Sequence, residues 1–349
     1  MKTLSAGKLR GLRRMADAKG LFKMTAVDQR PPIINPIAAA LGDTAPWNAV
    51  ARFKTLLCET LQGQSTAMLL DPNFAYPMAA TRLDPRLGLI MTLEEAVWRE
   101  TEEGRLSEVI ADWSVEKIKR TGADAVKVLC WYRPDAPASI TDHQKAFVRE
   151  IGEACARFDL PYLFEVLVYP LPGEKNQTTQ YIEMADKRAD LVLESVAEFA
   201  KPEYGVDVFK LESPVPARDC PGAGQPGAVT VQKYFDEMGR VAGRPWVMLS
   251  AGAGMTEFRN VLSHAYAAGA SGYLAGRAIW SEAFKAFPDW AAVQAGLEGK
   301  GVAYMKEINA LTDATAAPWW RNWGGVAMAH ADGNFPHAYP GFGDGSTRA

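Results

Sequence analysis

Eight short apolar runs recur along the chain, at 21–29, 67–72, 88–93, 124–132, 161–169, 206–213, 245–252 and 272–280. They are continuous rather than alternating, which is the pattern of strands buried on both faces in a parallel sheet. Segments of helical period separate most of them, among them 113–121, 142–158, 187–199, 231–241 and 256–268. Parallel neighbours need a crossover, usually a helix. Eight strands alternating with helices predict an α/β fold of the (β/α)8 barrel type. A doubly wound open sheet is the alternative, but no G-x-G-x-x-G follows the first run. A chain of 349 residues suits one barrel. Residues 1–318 are read as a single barrel with an N-terminal helix. Residues 30–69 carry extra helix and Pro-rich turns, and 319–349 form a Trp- and Gly-rich tail. The Trp319-Trp320-Arg321-Asn322-Trp323 cluster is expected to dock on a surface, and the last stretch to be poorly ordered.

The net charge of −3 leaves no electrostatic footprint for nucleic acid. No apolar run is long enough to span a bilayer. The basic start, Met1-Lys2-Thr3-Leu4-Ser5, lacks an apolar secretory core, so a cytoplasmic location is expected. Cys58, Cys130, Cys155 and Cys220 show no metal-type spacing and are read as reduced thiols. His143, His264, His330 and His337 are equally dispersed. No metal and no cofactor is expected, although carboxylates could still hold magnesium. Homo-oligomers are open, since nothing in the sequence marks an interface.

In such a barrel the chemistry sits at the C-terminal strand ends. Lys127, Glu165 and Lys210 interrupt otherwise apolar runs, and Asp28 closes the first. Burial disfavours the charged form of an amine, and a neutral lysine attacks carbonyls to form a Schiff base. The plainer reading of Lys210 is a stem crossing apolar surface with its head in water. The plainer reading of all four is a buried ion-pair network, which would cost desolvation for little stability. Two lysines with two carboxylates have a chemical use: one lysine attacks, the other disfavours its protonation by repulsion, and a carboxylate shuttles protons. Ser250-Ala251-Gly252 and Gly276-Arg277 end the last two runs. Small residues there let backbone N–H groups approach an oxyanion, and an arginine can add a bidentate contact. Ordinary tight turns would need small residues too.

The ordered set Ala26-Val27-Asp28-Gln29-Arg30, Leu70-Asp71-Pro72, Gly122-Ala123-Asp124-Ala125-Val126-Lys127, Phe164-Glu165, Asp207-Val208-Phe209-Lys210-Leu211-Glu212, Leu249-Ser250-Ala251-Gly252 and Gly276-Arg277-Ala278-Ile279-Trp280 resembles the class I (Schiff-base) tagatose-1,6-bisphosphate aldolases over about residues 8–290. The resemblance implies that Lys210 is the Schiff-base lysine and Glu165 the proton-shuttling glutamate. It also implies that Lys127 is the second active-site lysine and Asp28 the aspartate that orients substrate. Ser250, Gly252, Gly276 and Arg277 fall where the family binds a substrate phosphate, and Gln29 and Arg30 are further substrate contacts. The implied partner is a small sugar phosphate. One departure is Pro31-Pro32 after Arg30, where relatives carry Gly, so the loop is expected to take another shape and the far end of the substrate to be recognised differently. Aldolases of 6-deoxy-6-sulfofructose 1-phosphate resemble the same family and remain an alternative. So do a metal-dependent aldolase or isomerase and a non-catalytic sugar-phosphate-binding barrel.

Overall fold

In the apolar runs, alternate residues face the barrel axis and the surrounding helices, so both faces are buried and each run extends as a strand. The computed structural model describes residues 1–42, 44–177 and 183–342. Its barrel strands are β1 (Phe22–Ala26), β2 (Ala67–Leu70), β3 (Gly88–Thr92), β4 (Ala125–Trp131), β5 (Tyr162–Leu167), β6 (Val208–Leu211), β7 (Trp246–Met248) and β8 (Gly272–Ala275). All pair in parallel, in sequence order, and β8 returns to β1, closing a TIM barrel. The register sets Glu165 beside Lys210 and Leu129 beside Glu165. No helix among the described residues is long and apolar enough to cross a membrane.

The barrel interior is apolar at its N-terminal end. Met24, Leu69, Ile90 and Leu163 form one cluster with Leu12 and Met15 of the helix Ala6–Met15, and with Trp319. Trp319 is 2% exposed, so the first indole of the Trp-rich segment is an internal plug under the barrel. The backbone N–H of Trp319 donates to the Gly20 carbonyl, just before β1. Beyond it, Val326–Met328 pairs in parallel with Lys2–Leu4. Residues 343–349, the end of the stretch expected to be poorly ordered, lie outside the described residues. All four cysteines are free and buried.

Two connections differ from a plain crossover. Pro31 and Pro32 do not shape a loop: they occupy the first turn of the helix Pro31–Leu41. Proline is favoured there because its missing N–H is unpaired in any case and its φ suits the helix. A second helix, Trp47–Leu61, follows before β2. Its Lys54 is fully buried, ion-paired with Asp71 and bonded to the Val27 carbonyl, which ties the ends of β1 and β2 together. The connection after β3 carries a small hairpin, Arg99–Glu100 against Arg105–Leu106, that crosses the mouth. The apolar run 272–280 is not one strand. The chain leaves β8 at Ala275, and Arg277–Phe284 is a helix whose Ala278, Ile279 and Trp280 are buried. Apolarity alone cannot tell a buried strand from a buried helix turn.

Candidate active site

The inward parity of the strands carries four ionisable side chains to one level of the barrel. Lys210 of β6 is 4% exposed, and its Nζ donates to Glu165 Oε2 of β5 at 2.8 Å. The same oxygen lies 3.0 Å from Lys127 Nζ of β4. Lys127 also contacts Asp28 Oδ2, just past β1, at 3.0 Å. Thus Asp28, Lys127, Glu165 and Lys210 form one buried chain of charges. Glu165 bridges the two ammoniums, so their mutual repulsion is offset by the carboxylate between them.

Burial by itself would raise the pKa values of Asp28 and Glu165. The Lys127 and Lys210 charges outweigh it and hold both carboxyls below their ordinary range. Both are therefore anions at neutral pH.

A fifth group, Glu94, was not singled out from the sequence. Its Oε1 is 2.5 Å from Lys127 Nζ, and its Oε2 accepts from Thr92 Oγ1 at 2.6 Å. The signal was present, because Ile90, Thr92 and Glu94 alternate and share the inward face, but the apolar run stops at Leu93. Among the described residues no group of three or more His, Cys, Asp or Glu is placed to hold a metal ion. The point on which Asp28, Glu94 and Glu165 converge is taken by the Lys127 ammonium.

The turns after β7 and β8 lie together. Ala251 and Gly252 both have positive φ, +46° and +87°, in a tight turn that the Ala253 N–H closes by donating to the Ser250 carbonyl at 2.7 Å. A Cβ on Gly252 would stand 3.2 Å from Arg277 Nη1, so the arginine lies against this turn. A Cβ on Gly276 would meet the Ala26 carbonyl at 2.7 Å and Gln29 Nε2 at 2.9 Å. Glycine here lets the end of β8 close on the end of β1. Gln29 Nε2 donates to Asp28 Oδ1 at 3.1 Å, which joins the turns to the charged chain. The eight expected site residues and Gln29 therefore fall in one region.

Arg30 points to the other side, towards β3. Its Nη2 donates to the Glu94 carbonyl at 2.9 Å, while buried Nε and Nη1, like Gln29 Oε1, have no hydrogen-bond partner among the described residues. A cavity of about 20 Å³, room for roughly one water, lies between Arg30, Pro31, Asp28, Glu94 and Lys127. Above the lysines, Trp98, Trp131 and Tyr169 pack with Leu129, Leu167 and Leu249. The Arg105 guanidinium lies 3.9 Å from the Trp98 ring centroid and 4.8 Å from those of Trp131 and Tyr169. Burial lowers the Arg105 pKa to about 10, with partial compensation from Glu100. The mouth is thus closed over the amines by a cation–aromatic roof that sequence reading did not reveal.

The match to a family model, the DeoC/LacD family aldolase, runs over residues 22–282, from β1 through the helix after β8. The chain belongs to the DeoC/LacD aldolase family. It is accordingly an aldolase, a carbon–carbon lyase. It is 31% identical over 338 residues to a protein of Listeria monocytogenes (serotype 4a, strain HCC23) named tagatose 1,6-diphosphate aldolase, covering 95% of this chain and 98% of the relative. It is 33% identical over 333 residues to tagatose 1,6-diphosphate aldolase 2 of Enterococcus faecalis, covering 91% and 97%. Among solved structures, a fructose-bisphosphate aldolase from Plasmodium falciparum superposes with a TM-score of 0.63 at 13% identity, over 90% of this chain and 97% of that one. An archaeal fructose 1,6-bisphosphate aldolase superposes with a TM-score of 0.54 at 17% identity, over 86% and 98%. At such identities these two attest the barrel alone.

Proposed function

We propose that this aldolase cleaves a ketose bisphosphate, such as tagatose 1,6-bisphosphate, through a Schiff base on Lys210. The observation that carries the reading is the 2.8 Å contact between Lys210 Nζ and Glu165 inside a nearly dry barrel. Proton transfer along that hydrogen bond frees the amine, which adds to the ketose C2 carbonyl. Glu165 returns the proton to the carbinolamine hydroxyl, water leaves, and an iminium remains. The C4 hydroxyl then gives its proton to Glu165, with Asp28 orienting the sugar. The C3–C4 electron pair moves into the iminium, the aldehyde departs, and an enamine is left. Protonation and hydrolysis release dihydroxyacetone phosphate. Each positioned proton transfer is worth about 10²–10⁴ in rate.

The 1-phosphate suits the turns at Ser250 and Gly252 and at Gly276, where small residues let an oxyanion approach the backbone and the Arg277 guanidinium lies alongside. The distal anion suits Arg30, whose buried Nε has no hydrogen-bond partner among the described residues and whose Nη1 is met only by Glu95 Oε1 at 3.7 Å, beyond hydrogen-bond distance. A guanidinium accepts a phosphate or a sulfonate, and the alternative substrate is 6-deoxy-6-sulfofructose 1-phosphate. The test is borohydride reduction with each ketose phosphate, read by intact mass. Wild-type protein gains one reduced adduct, and Lys210→Met gains none and does not turn over. Wild-type protein left unlabelled by every ketose phosphate while cleaving one of them would rule out the Schiff base.

A further inference from the structure

We infer that Glu94 is a positioning residue of the aldol site: it fixes the Lys127 ammonium and weakens the field which that ammonium exerts on Glu165. The inference rests on the reading of Lys210 as Schiff-base lysine and Glu165 as proton carrier. Glu94 is 3% exposed and held from three directions. Its Oε1 meets Lys127 Nζ at 2.5 Å, its Oε2 accepts from Thr92 Oγ1 at 2.6 Å, and its backbone carbonyl accepts from Arg30 Nη2 at 2.9 Å. Both carboxylate oxygens are thus engaged, which suits a stationary anion and not a proton carrier.

The charged groups facing Lys127 come from every side of the barrel. Asp28 stands after β1, Glu94 after β3, Glu165 on β5, and Lys210 on β6 shares Glu165 Oε2. Arg30 stands on the far side of Glu94. In the cleavage step Glu165 must accept the C4 hydroxyl proton as the C3–C4 pair flows into the iminium. A bare ammonium at 3.0 Å from Glu165 would make that carboxylate a poor base. An anion on the opposite flank of the same ammonium cancels part of the effect, and in a buried site such a correction is not screened by water. Glu94 also opposes loss of the Lys127 proton. Its removal acts on both limbs of the pH profile in one direction: Glu165 becomes a weaker base, and Lys127 a stronger acid.

The experiment measures kcat and KM against pH for wild type, Glu94→Gln and Glu94→Asp, with folding checked by circular dichroism. In Glu94→Gln, kcat falls about 10–100-fold and both limbs move to lower pH by about one unit, with KM nearly unchanged. Glu94→Asp keeps the charge and restores the wild-type limbs in large part. Borohydride with substrate still labels Lys210 in both variants. Limbs that stay at the wild-type pH in Glu94→Gln would overturn the inference, whatever the loss in kcat. If Glu94→Gln does not fold, Glu94→Ser removes the same charge with a smaller polar group and must move the limbs in the same direction, and unmoved limbs there have the same force. A wild-type enzyme that borohydride cannot trap sinks the reading of Lys210 instead, which keeps the two failures apart.

Discussion

Replacing Lys127 by methionine tests whether the centre of the barrel is an ion cluster whose stability depends on one cation. Lys127 Nζ lies 2.5 Å from Glu94, 3.0 Å from Asp28 and 3.0 Å from Glu165. At 3 Å and an effective dielectric near 20, each pair attracts by about 5–6 kcal/mol, much of which offsets desolvation. Removing one partner of a buried pair leaves uncompensated charge and costs about 3–5 kcal/mol. With an unfolding entropy of about 2.1 cal/mol/K per residue, that lowers Tm by about 4–7 °C for a chain of 349 residues. The pH dependence has a definite sign. Asp28 and Glu165 are held below their ordinary range, against the opposing effect of burial, by Lys127 and Lys210. Depressed carboxylates contribute stability above their unfolded pKa values, near 4, and lose it as pH falls through the folded values. In Lys127→Met much of that contribution is gone, and the stranded carboxylates accept protons on acidification. The deficit in Tm relative to wild type is therefore largest near pH 8 and shrinks towards pH 5, as read by thermal denaturation at both pH values. A deficit equal at the two, or a Tm change below about 1 °C, would refute the reasoning.

Gly252→Ala places a Cβ at φ +87° and 3.2 Å from Arg277 Nη1. It costs about 1–2 kcal/mol of backbone strain and raises KM for the phosphorylated ketose about 10-fold, and a KM equal to that of wild type would remove the phosphate from this turn. Trp319→Ala empties the plug at the end of the barrel away from the lysines. A loss of about 3–5 kcal/mol in denaturant unfolding, with kcat/KM per folded molecule unchanged, is the expected result. A large loss of activity in the folded variant would contradict the separation of plug and site.

The barrel was readable because its strands are buried on both faces, which leaves continuous apolar runs punctuated by helical segments. All eight runs contain a strand, although the last also covers the start of the helix Arg277–Phe284. The charged residues of the site were readable for the same reason: Lys127, Glu165 and Lys210 stand out where water does not reach. Glu94 escaped notice because it follows the apolar run and precedes Glu95, an exposed glutamate. The roof escaped notice because Arg105 and Trp98 lie in a polar hairpin with no periodicity to mark an inward side. Pro31-Pro32 was read as a reshaped loop, yet two prolines fit a helical first turn equally well, and only the surrounding packing selects the helix.

Periodicity and burial are local properties, and the chain carries them in its order of residues: eight strands, their connecting helices, and four ionisable groups where apolar side chains are the rule. Which groups touch which is a property of the closed ring. The register of β4, β5 and β6 brings Lys127, Glu165 and Lys210 onto one carboxylate. Closure of β8 on β1 brings Gly276 against Gln29, which is itself bonded to Asp28. Contacts between residues tens to hundreds of positions apart depend on strand stagger and side-chain reach, neither of which any stretch of sequence encodes by itself.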